Sequence, residues 1–294
     1  MILYKFLLSL SDGLIFSFFG LGIFISFRWL RFPDLTPDGS FVLGGCVYVQ
    51  LTSVGVPAVL AILISILCGF IAGLGTSLLN QVIRIPAFIA GLLMSGALYS
   101  INWLLLGKPN QYAEATQMMG HWLSGREYNH YLILISTLCL ASIIFILKTY
   151  GDSIWGLRIR AVGENNILSS DLRISKLKQY AIGLGISNGL VALSGAFYVQ
   201  RTFSADINMG VGQTITGLIG MIIGMLLYKK QKNLTLVFYT LAIGVIIYKL
   251  IIWISLELGL PPESFKLISS AIMVILFFMI HKLNMNFLNN LRWV

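Results

Sequence analysis

The sequence predicts an all-α polytopic membrane protein, folded as a single transmembrane helical bundle over residues 1–294. Of its 294 residues, 57% are hydrophobic and only 11% are charged, and the mean hydropathy is +0.86. A soluble domain has about a quarter of its residues charged, so this chain has too few polar side chains to cover a soluble core. The apolar residues also form continuous runs of about twenty, the length that a helix needs to cross hydrocarbon. Continuous rather than alternating runs indicate helices and not a β-barrel.

About nine apolar segments follow one another along the chain, and each predicts a span. The second and seventh are short and bordered by glycine, so we expect half-helices there. The first run continues to the length of a full span, which predicts a retained membrane helix and not a cleaved signal peptide. A polar external loop is predicted at 108–130 and a charged internal loop at 151–178. The predicted spans are Asp12–Arg28, Gly39–Leu51, Pro57–Leu79, Pro86–Leu106, Tyr131–Lys148, Tyr180–Gln200, Ile215–Tyr228, Leu234–Ser255 and Phe265–His281.

The basic residues indicate how the bundle is oriented. If the N-terminus lies outside and the spans alternate, most Lys and Arg fall inside, among them Arg28, Arg31 and Arg160, whereas Lys5 and Arg201 fall outside. Membrane proteins keep their excess of Lys and Arg in cytoplasmic loops. We therefore predict the N-terminus outside and the C-terminus in the cytoplasm. The same bias explains the net charge of +9 without a nucleic-acid partner.

Two polar, glycine-rich breaks interrupt the apolar pattern. The first break, Phe32–Gly44, contains Asp34, Thr36 and Asp38, and its two prolines prevent an unbroken helix. The second break is Ser204–Gly217. Its polar residues are Asp206, Asn208 and Gln213.

Carboxylates at membrane depth are costly, so the two breaks need an explanation. In the predicted topology they lie in oppositely oriented halves of the chain, an arrangement typical of the paired broken helices that line a transport pathway. The alternative is a tight turn in which an aspartate caps the next helix, and for either break alone this explanation is as good. As a pair, the breaks favour a pathway. The predicted pathway residues are Asp34, Thr36, Asp38, Asn102, Asp206, Asn208 and Gln213.

Three further polar side chains lie within apolar helices. Asn102 and Asn188 carry amides, which in such positions more often join helices than bind a ligand. Lys249 lies in the eighth span, and we expect it to extend to the outer interface. The rows Gly69–Gly73 and Gly185–Gly189 are typical of close helix packing.

Motifs for catalysis and nucleotide binding are absent from the sequence. It has no G-x-x-x-x-G-K-[ST] phosphate loop, so we expect any ATP to be bound by another chain. It has no H-E-x-x-H, C-x-x-C or G-x-S-x-G, so we predict no enzyme activity, no cofactor and no metal. The transport alternatives are an ATP-driven permease and a secondary transporter driven by an ion gradient. A membrane scaffold without transport is the third hypothesis.

The internal loop carries a family signature. From Trp155 it reads WGLRIRAVGENNILSSDLRISKLKQ and resembles the signature of the branched-chain amino acid and monosaccharide permease family of ABC importers, in which R-A-x-G-x-N precedes a short cytoplasmic helix. The matching residues are Arg160, Ala161, Gly163 and Asn165. The resemblance implies that roughly Glu164–Arg173 forms the coupling helix, which docks into a groove of the ATPase subunit. The implied coupling residues are Arg160, Gly163, Glu164, Asn165, Asp171 and Arg173.

Three other stretches look like one subgroup of that family, which is described as tryptophan or tyrosine transport systems. They are Phe32–Phe41, Ala90–Asn110 and Ala205–Gly212. The run KKQK at 229–232, after the seventh predicted span, departs from the more acidic sequence that the resemblance leads us to expect at that position. The resemblance implies an inverted-repeat importer permease in a bacterial plasma membrane. It also implies a homodimer of permeases, two ATPase subunits and a periplasmic or lipid-anchored solute-binding protein. The solute would be small and polar, an amino acid, with an aromatic one suggested by the subgroup.

Overall fold

The computed structural model describes residues 2–114, 118–123, 125–165, 169, 171–228, 233–261 and 264–282, and these residues form an all-α bundle with one small β-ribbon. The first helix continues into a π-helical turn at Ile25–Trp29. The strands of the ribbon are β1 (Asn110–Tyr112) and β2 (Ser204–Asp206), which pair antiparallel. The helices are α1 (Ile2–Phe24), α2 (Thr36–Ser53), α3 (Ala58–Gln81), α4 (Ala87–Leu106), α5 (Gly125–Asp152), α6 (Ile154–Glu164), α7 (Lys176–Thr202), α8 (Gln213–Leu227), α9 (Leu234–Glu257) and α10 (Phe265–Lys282).

Every predicted span corresponds to a helix, and two of these helices are different from the rest. Seven helices of the described chain are long and apolar enough to cross a membrane, and α2 and α8 are not among them. The 15 residues of α8 extend over only about 22 Å, against a hydrocarbon core of about 30 Å. The expectation of a short helix is confirmed for α8. Helix α2 has 18 residues, as many as α10, and differs from the spans in being less apolar. The first span begins earlier than predicted, at Ile2 and not at Asp12, because Lys5 lies within the helix and pairs with Glu257 at 2.8 Å.

Helices α1 and α7 form the centre of the bundle. Their most apolar stretches are 78% and 83% buried, whereas the other spans are 11–39% buried. Small residues bring α7 close to its neighbours: a side-chain carbon on Gly73 of α3 would collide with the carbonyl of Leu184, and one on Gly185 would lie 2.6 Å from Phe70. Close approach of this kind replaces the hydrophobic driving force that helices lack within a membrane. The predicted packing role of these glycine rows is confirmed.

Arginines that the sequence assigns to opposite sides of the membrane lie at opposite ends of the bundle. Arg28, Arg31 and Arg160 line one cavity, and Arg201 lines another beside the first turns of α1. The two ends are therefore distinct in the fold. Which end faces the cytoplasm stays a prediction.

The internal loop contains a helix that the sequence did not predict. Helix α6 follows α5 almost directly, and the hydroxyl of Ser153 accepts the N–H of Gly156 at its start. The predicted coupling helix, Glu164–Arg173, begins at the last residue of α6, and its residues 166–168 and 170 lie outside the described part of the chain. The basic run at 229–232 also lies outside the described residues.

Lys249 corrects the expectation that it extends to the outer interface. Its Nζ lies 3.3 Å from the centroid of the Phe16 ring, so the side chain points into the bundle toward α1. The Phe16 side chain is buried. The face of an aromatic ring carries partial negative charge and attracts a cation. The α1 carboxylate of Asp12, which pairs with Arg201 at 3.5 Å, adds negative charge to the same region. The lysine is thus accommodated by packing, which its position in the sequence does not indicate.

Candidate functional site: two half-helices that meet in the bundle

The first break places an aspartate inside the bundle at the start of α2. After the π turn the chain reverses, and the N–H of Phe32 donates to the carbonyl of Ser26 at 2.9 Å. Asp34 follows and is 0% exposed. Its Oδ1 accepts the N–H of Thr36 at 2.9 Å. This bond satisfies one of the N–H groups that the first turn of a helix leaves without a partner.

Asp34 also ties α2 to the middle of α7. Its Oδ2 accepts a hydrogen bond from Nδ2 of Asn188 at 2.9 Å. The Oδ1 of Asn188 in turn accepts the hydroxyl of Ser40 at 2.7 Å. The three side chains form one buried chain of hydrogen bonds, and hydrogen bonds to an aspartate are among the stronger ones in a low-dielectric interior.

Two more polar contacts attach the start of α2 to α3 and α4. The hydroxyls of Thr36 and Thr76 lie 2.7 Å apart, and Nδ2 of Asn102 donates to the carbonyl of Gly39 at 3.2 Å. Gly91 of α4 lies against the loop before α2, where a side-chain carbon would come 2.6 Å from the N of Leu35. Asn102 therefore joins helices, as expected for an amide in an apolar helix.

Asp38 connects the two breaks. Its Oδ1 accepts both the N–H and the hydroxyl of Thr214 at 2.7 Å, and its Oδ2 accepts the N–H of Gly212 at 3.0 Å. Thr214 lies in the first turn of α8, and Asp38 lies in the first turn of α2. The Asp38 carboxylate thus lies at the positive N-terminal ends of both helices. We refer to this contact as the Asp38 joint.

From the Asp38 joint, α2 and α8 run to opposite ends of the bundle. Ser40 lies beside Asn188, and Gly44 lies against Ala192, so α2 runs beside α7 toward the end with Arg201. In α8, Gly224 packs on Leu241 near the start of α9, the end with the Arg28 cavity. Helices α2 and α8 therefore both begin inside the bundle and diverge, as expected of half-helices.

The second break is built differently, and its polar residues do not join the Asp34 cluster. Asp206 lies in β2 opposite Asn110, and its Oδ1 accepts the N–H of Asn208 at 2.6 Å. Asn208 is exposed, and the half-buried Gln213 donates to the carbonyl of Met209 at 3.2 Å. These side chains follow the connection from the end of α7 to the start of α8.

Sequence reasoning did not single out four residues of this site: Ser40, Thr76, Gly91 and Thr214. Ser40 and Thr214 lie within stretches that the sequence marks as polar breaks, so only their roles were missed. Thr76 and Gly91 lie in apolar helices where small residues have no distinctive pattern. Only the packing of α3 and α4 on α2 reveals them.

The residues with an implied coupling role lie at the end of the bundle where α1 finishes. Nη2 of Arg160 donates to the carbonyl of Gly151 at 2.8 Å, and its guanidinium lies over the ring of Trp29. A side-chain carbon on Gly163 would collide with the carbonyl of Trp29. The Glu164 side chain is 74% exposed and lies 3.6 Å from Arg31. Helix α6 is therefore anchored to the π turn, while exposed positions follow it at Asn165, Asp171 and Arg173.

Helices of membrane-spanning length around two half-helices define a polytopic membrane protein of the transporter class. Residues 6–277 match the family described as branched-chain amino acid transport system / permease component, and the chain belongs to this family. The resemblance seen in the RAVGEN stretch is confirmed. The chain is the permease component of a transport system.

Relatives cover almost the whole chain. A tyrosine transport system permease protein of Clostridioides difficile is 34% identical over 94% of this chain and 91% of its own length. An uncharacterised protein of Rickettsia prowazekii is 33% identical over 91% of this chain and 94% of its own. An ABC transporter described as of the metal-chelate type, in an inward-facing conformation, shares the fold with a TM-score of 0.53 at 17% identity, over 94% of this chain and 85% of that one.

Proposed function

We propose that this chain imports tyrosine or a similar aromatic amino acid across the bacterial plasma membrane, driven by a separate ATPase. The substrate class is supported by the Clostridioides difficile relative, which is named a tyrosine permease and matches over nearly the full length of both chains. The resemblance of Phe32–Phe41 and Ala205–Gly212 to aromatic amino acid systems points the same way.

The observation that carries the mechanism is the Asp38 joint. Three hydrogen bonds hold the N-termini of α2 and α8 together inside the bundle. Asp34, Thr36 and Asn102 fasten α2 to its neighbours, and Asp206, Asn208 and Gln213 line the approach from the end of α7. Opening or closing the pathway then requires the half-helices to shift about the joint, with Asp38 holding their ends in register.

A short route leads from the coupling segment to this joint. Gly163 packs directly on Trp29 and Leu30, and only three residues separate Leu30 from Asp34 in the chain. A push on the segment Glu164–Arg173 would therefore reach the first turn of α2 through backbone contacts and would need no long relay of side chains. We infer that Arg160, Gly163, Glu164, Asn165, Asp171 and Arg173 transmit the ATPase stroke in this way.

The complete importer would hold two copies of this chain, two ATPase subunits and a periplasmic or lipid-anchored solute-binding protein. The end with Arg28, Arg31 and Arg160 would face the cytoplasm, since basic residues favour that side. The N-terminus then lies outside and the C-terminus inside. The binding protein would release its solute at the end with Asp206.

The test is tyrosine uptake into proteoliposomes that contain the permease, its ATPase and its binding protein. We expect uptake that needs ATP and stops with a hydrolysis-dead ATPase. Excess phenylalanine or tryptophan should compete, and leucine should not. Uptake that continues without ATP would contradict the proposal and favour an ion-driven secondary transporter.

Gly163→Val tests the coupling route, because its side chain would collide with Trp29 and separate α6 from α1. We expect at least a tenfold loss of uptake, while the ATPase still co-purifies. Arg158→Gln is the matched control, since Arg158 lies on the exposed side of the same helix and its guanidinium lies over the ring of Trp155. Normal uptake by Gly163→Val would exclude this route.

A further inference from the structure

Three arginines of the described chain converge on one small cavity at the end of α1. The cavity has a volume of about 160 Å³ and is lined by Arg28, Arg31, Arg160 and Glu164 over an apolar floor. The floor consists of Phe24, Trp29, Leu234 and Val237. Three guanidinium groups face one carboxylate, so the cavity has an excess of two positive charges.

Contacts within the described chain leave much of this charge uncompensated. The single carboxylate, Glu164, is mostly exposed and lies 3.6 Å from Arg31, beyond hydrogen-bond distance. Arg160 donates to the carbonyls of Gly151 and Gly156, and its guanidinium lies over the face of Trp29. No carboxylate of the described residues pairs with Arg28. Three cations held together on a partly apolar surface favour an anion between them.

The surroundings place this cavity at the boundary of the hydrocarbon. On α6, Trp155 is 50% exposed, and Ile154 and Leu157 are exposed beside it. On α9, Leu236 and Tyr239 are exposed next to the cavity-lining Leu234 and Val237. Exposed Trp and Tyr are enriched where headgroups meet acyl chains. A surface of this kind favours an anion that carries an apolar tail.

We propose that the cavity binds the phosphate of an anionic phospholipid headgroup. Arg28 and Arg31 donate to the phosphate oxygens, a geometry for which the planar guanidinium fork is suited, and Arg160 adds its charge at the edge. The acyl chains lie along the exposed apolar face of α9. Basic pockets between membrane helices bind lipid headgroups in this way. The bound lipid holds α1, α6 and α9 together at the end where the coupling segment begins.

Native mass spectrometry of the purified permease–ATPase complex tests this site, with short-chain phosphatidylglycerol and phosphatidylcholine as probes. We expect one tightly held phosphatidylglycerol per permease chain and weaker retention of phosphatidylcholine. Arg28→Gln combined with Arg31→Gln should weaken phosphatidylglycerol binding tenfold or more, on the order expected for losing two basic residues near a lipid. Arg158→Gln removes one charge from α6 outside the cavity and should leave the affinity unchanged. Arg28→Gln alone gives an intermediate loss and keeps the Arg31–Glu164 contact.

Three results would overturn the proposal. Equal affinity for both lipids would show that headgroup charge is not recognised. Unchanged phosphatidylglycerol binding in the double variant, shown to be monodisperse and still bound to the ATPase, would exclude this cavity. Displacement of phosphatidylglycerol by equimolar inorganic phosphate would show that the ligand is a free anion. None of these readouts depends on the identity of the transported solute.

Discussion

The two breaks look alike in the sequence, yet the protein stabilises them in different ways. At the first break, the partners of the polar side chains come from other helices: Asn188 for Asp34 and Thr76 for Thr36. At the second, Asp206 bonds the N–H two residues ahead of it and lies in a two-stranded ribbon. The Asp34 and Thr36 side chains are thus held by tertiary contacts, whereas the Asp206 carboxylate bonds only locally within the described chain, and its segment is held by backbone pairing with β1.

The difference follows from burial. The start of α2 lies inside the bundle, where each backbone N–H and carbonyl must find a protein partner because no bulk water is available. The connection before α8 is partly exposed, and its backbone pairs with β1 at Ser204–Asp206. Ala205 and Ile207 of the connection are buried, and at its end Asp38 of the first break supplies the acceptors for Gly212 and Thr214. Substitutions of the polar side chains should therefore lower stability more at the first break than at the second.

The largest effect is expected for Asp34→Ala. It removes two hydrogen bonds to a buried carboxylate and leaves the Thr36 N–H without its acceptor, whereas Nδ2 of Asn188 keeps its bond to the carbonyl of Leu184. We expect the change to cost about 3 kcal/mol. The thermal midpoint in detergent should fall accordingly. Asp34→Asn is the matched variant. If the Asn188 amide rotates by 180°, its oxygen can accept from the new amide and its Nδ2 can donate to the Ser40 hydroxyl, so the loss should be smaller. An unchanged midpoint for Asp34→Ala would remove the distinction between the breaks.

The next effect is expected for Asp38→Ala, which uncouples the two half-helices. Three hydrogen bonds are lost at a half-buried site, so we expect a loss of about 2 kcal/mol in stability. ATP-driven uptake should fall further than stability does, because the ends of α2 and α8 are no longer held in register. Asp38→Asn retains an acceptor for Thr214 and should keep part of the activity. Full uptake by well-expressed Asp38→Ala would contradict a role for the joint in transport.

A pair of glycines on α4 gives effects of opposite sign. Gly91→Ala places a carbon 2.6 Å from the N of Leu35, and the overpacking should cost about 2 kcal/mol. Around Gly96 a side-chain carbon meets nothing within 4 Å, so Gly96→Ala should be neutral or stabilise the helix by about 1 kcal/mol. The thermal midpoints of both variants, measured in the same detergent, test these two expectations. Equal effects would show that the first break does not depend on the close approach of α4.

The smallest effect is expected for Asp206→Ala. It removes one local hydrogen bond in a partly exposed turn, where water replaces the carboxylate, so the loss should be less than about 1 kcal/mol. A midpoint drop as large as that of Asp34→Ala would mean that the Asp206 side chain is also needed to hold its segment in the bundle.

Much of the fold was predictable because the signals for it are local. The length of an apolar run shows that a helix can span, and prolines with glycines mark Phe32–Gly44 as a place where a helix must begin again. The short length of α8 was visible for the same reason. The extra helix α6 was missed because its charged sequence reads equally well as a loop. For the site, the charged members were evident, and the hydroxyl and glycine partners were not.

The sequence by itself determined that this chain is a helical membrane protein with two interrupted helices and that it resembles importer permeases. These properties depend on residues close together in the chain. Only the tertiary structure decided that Asp34 meets Asn188, 154 positions away, that Asp38 serves the first turns of both half-helices, and that Lys249 points inward onto Phe16. Such contacts depend on how α1, α2, α7 and α9 pack in register. Hydropathy carries no information on that register, because an apolar face packs with many neighbours and only the matching of small and polar residues selects one.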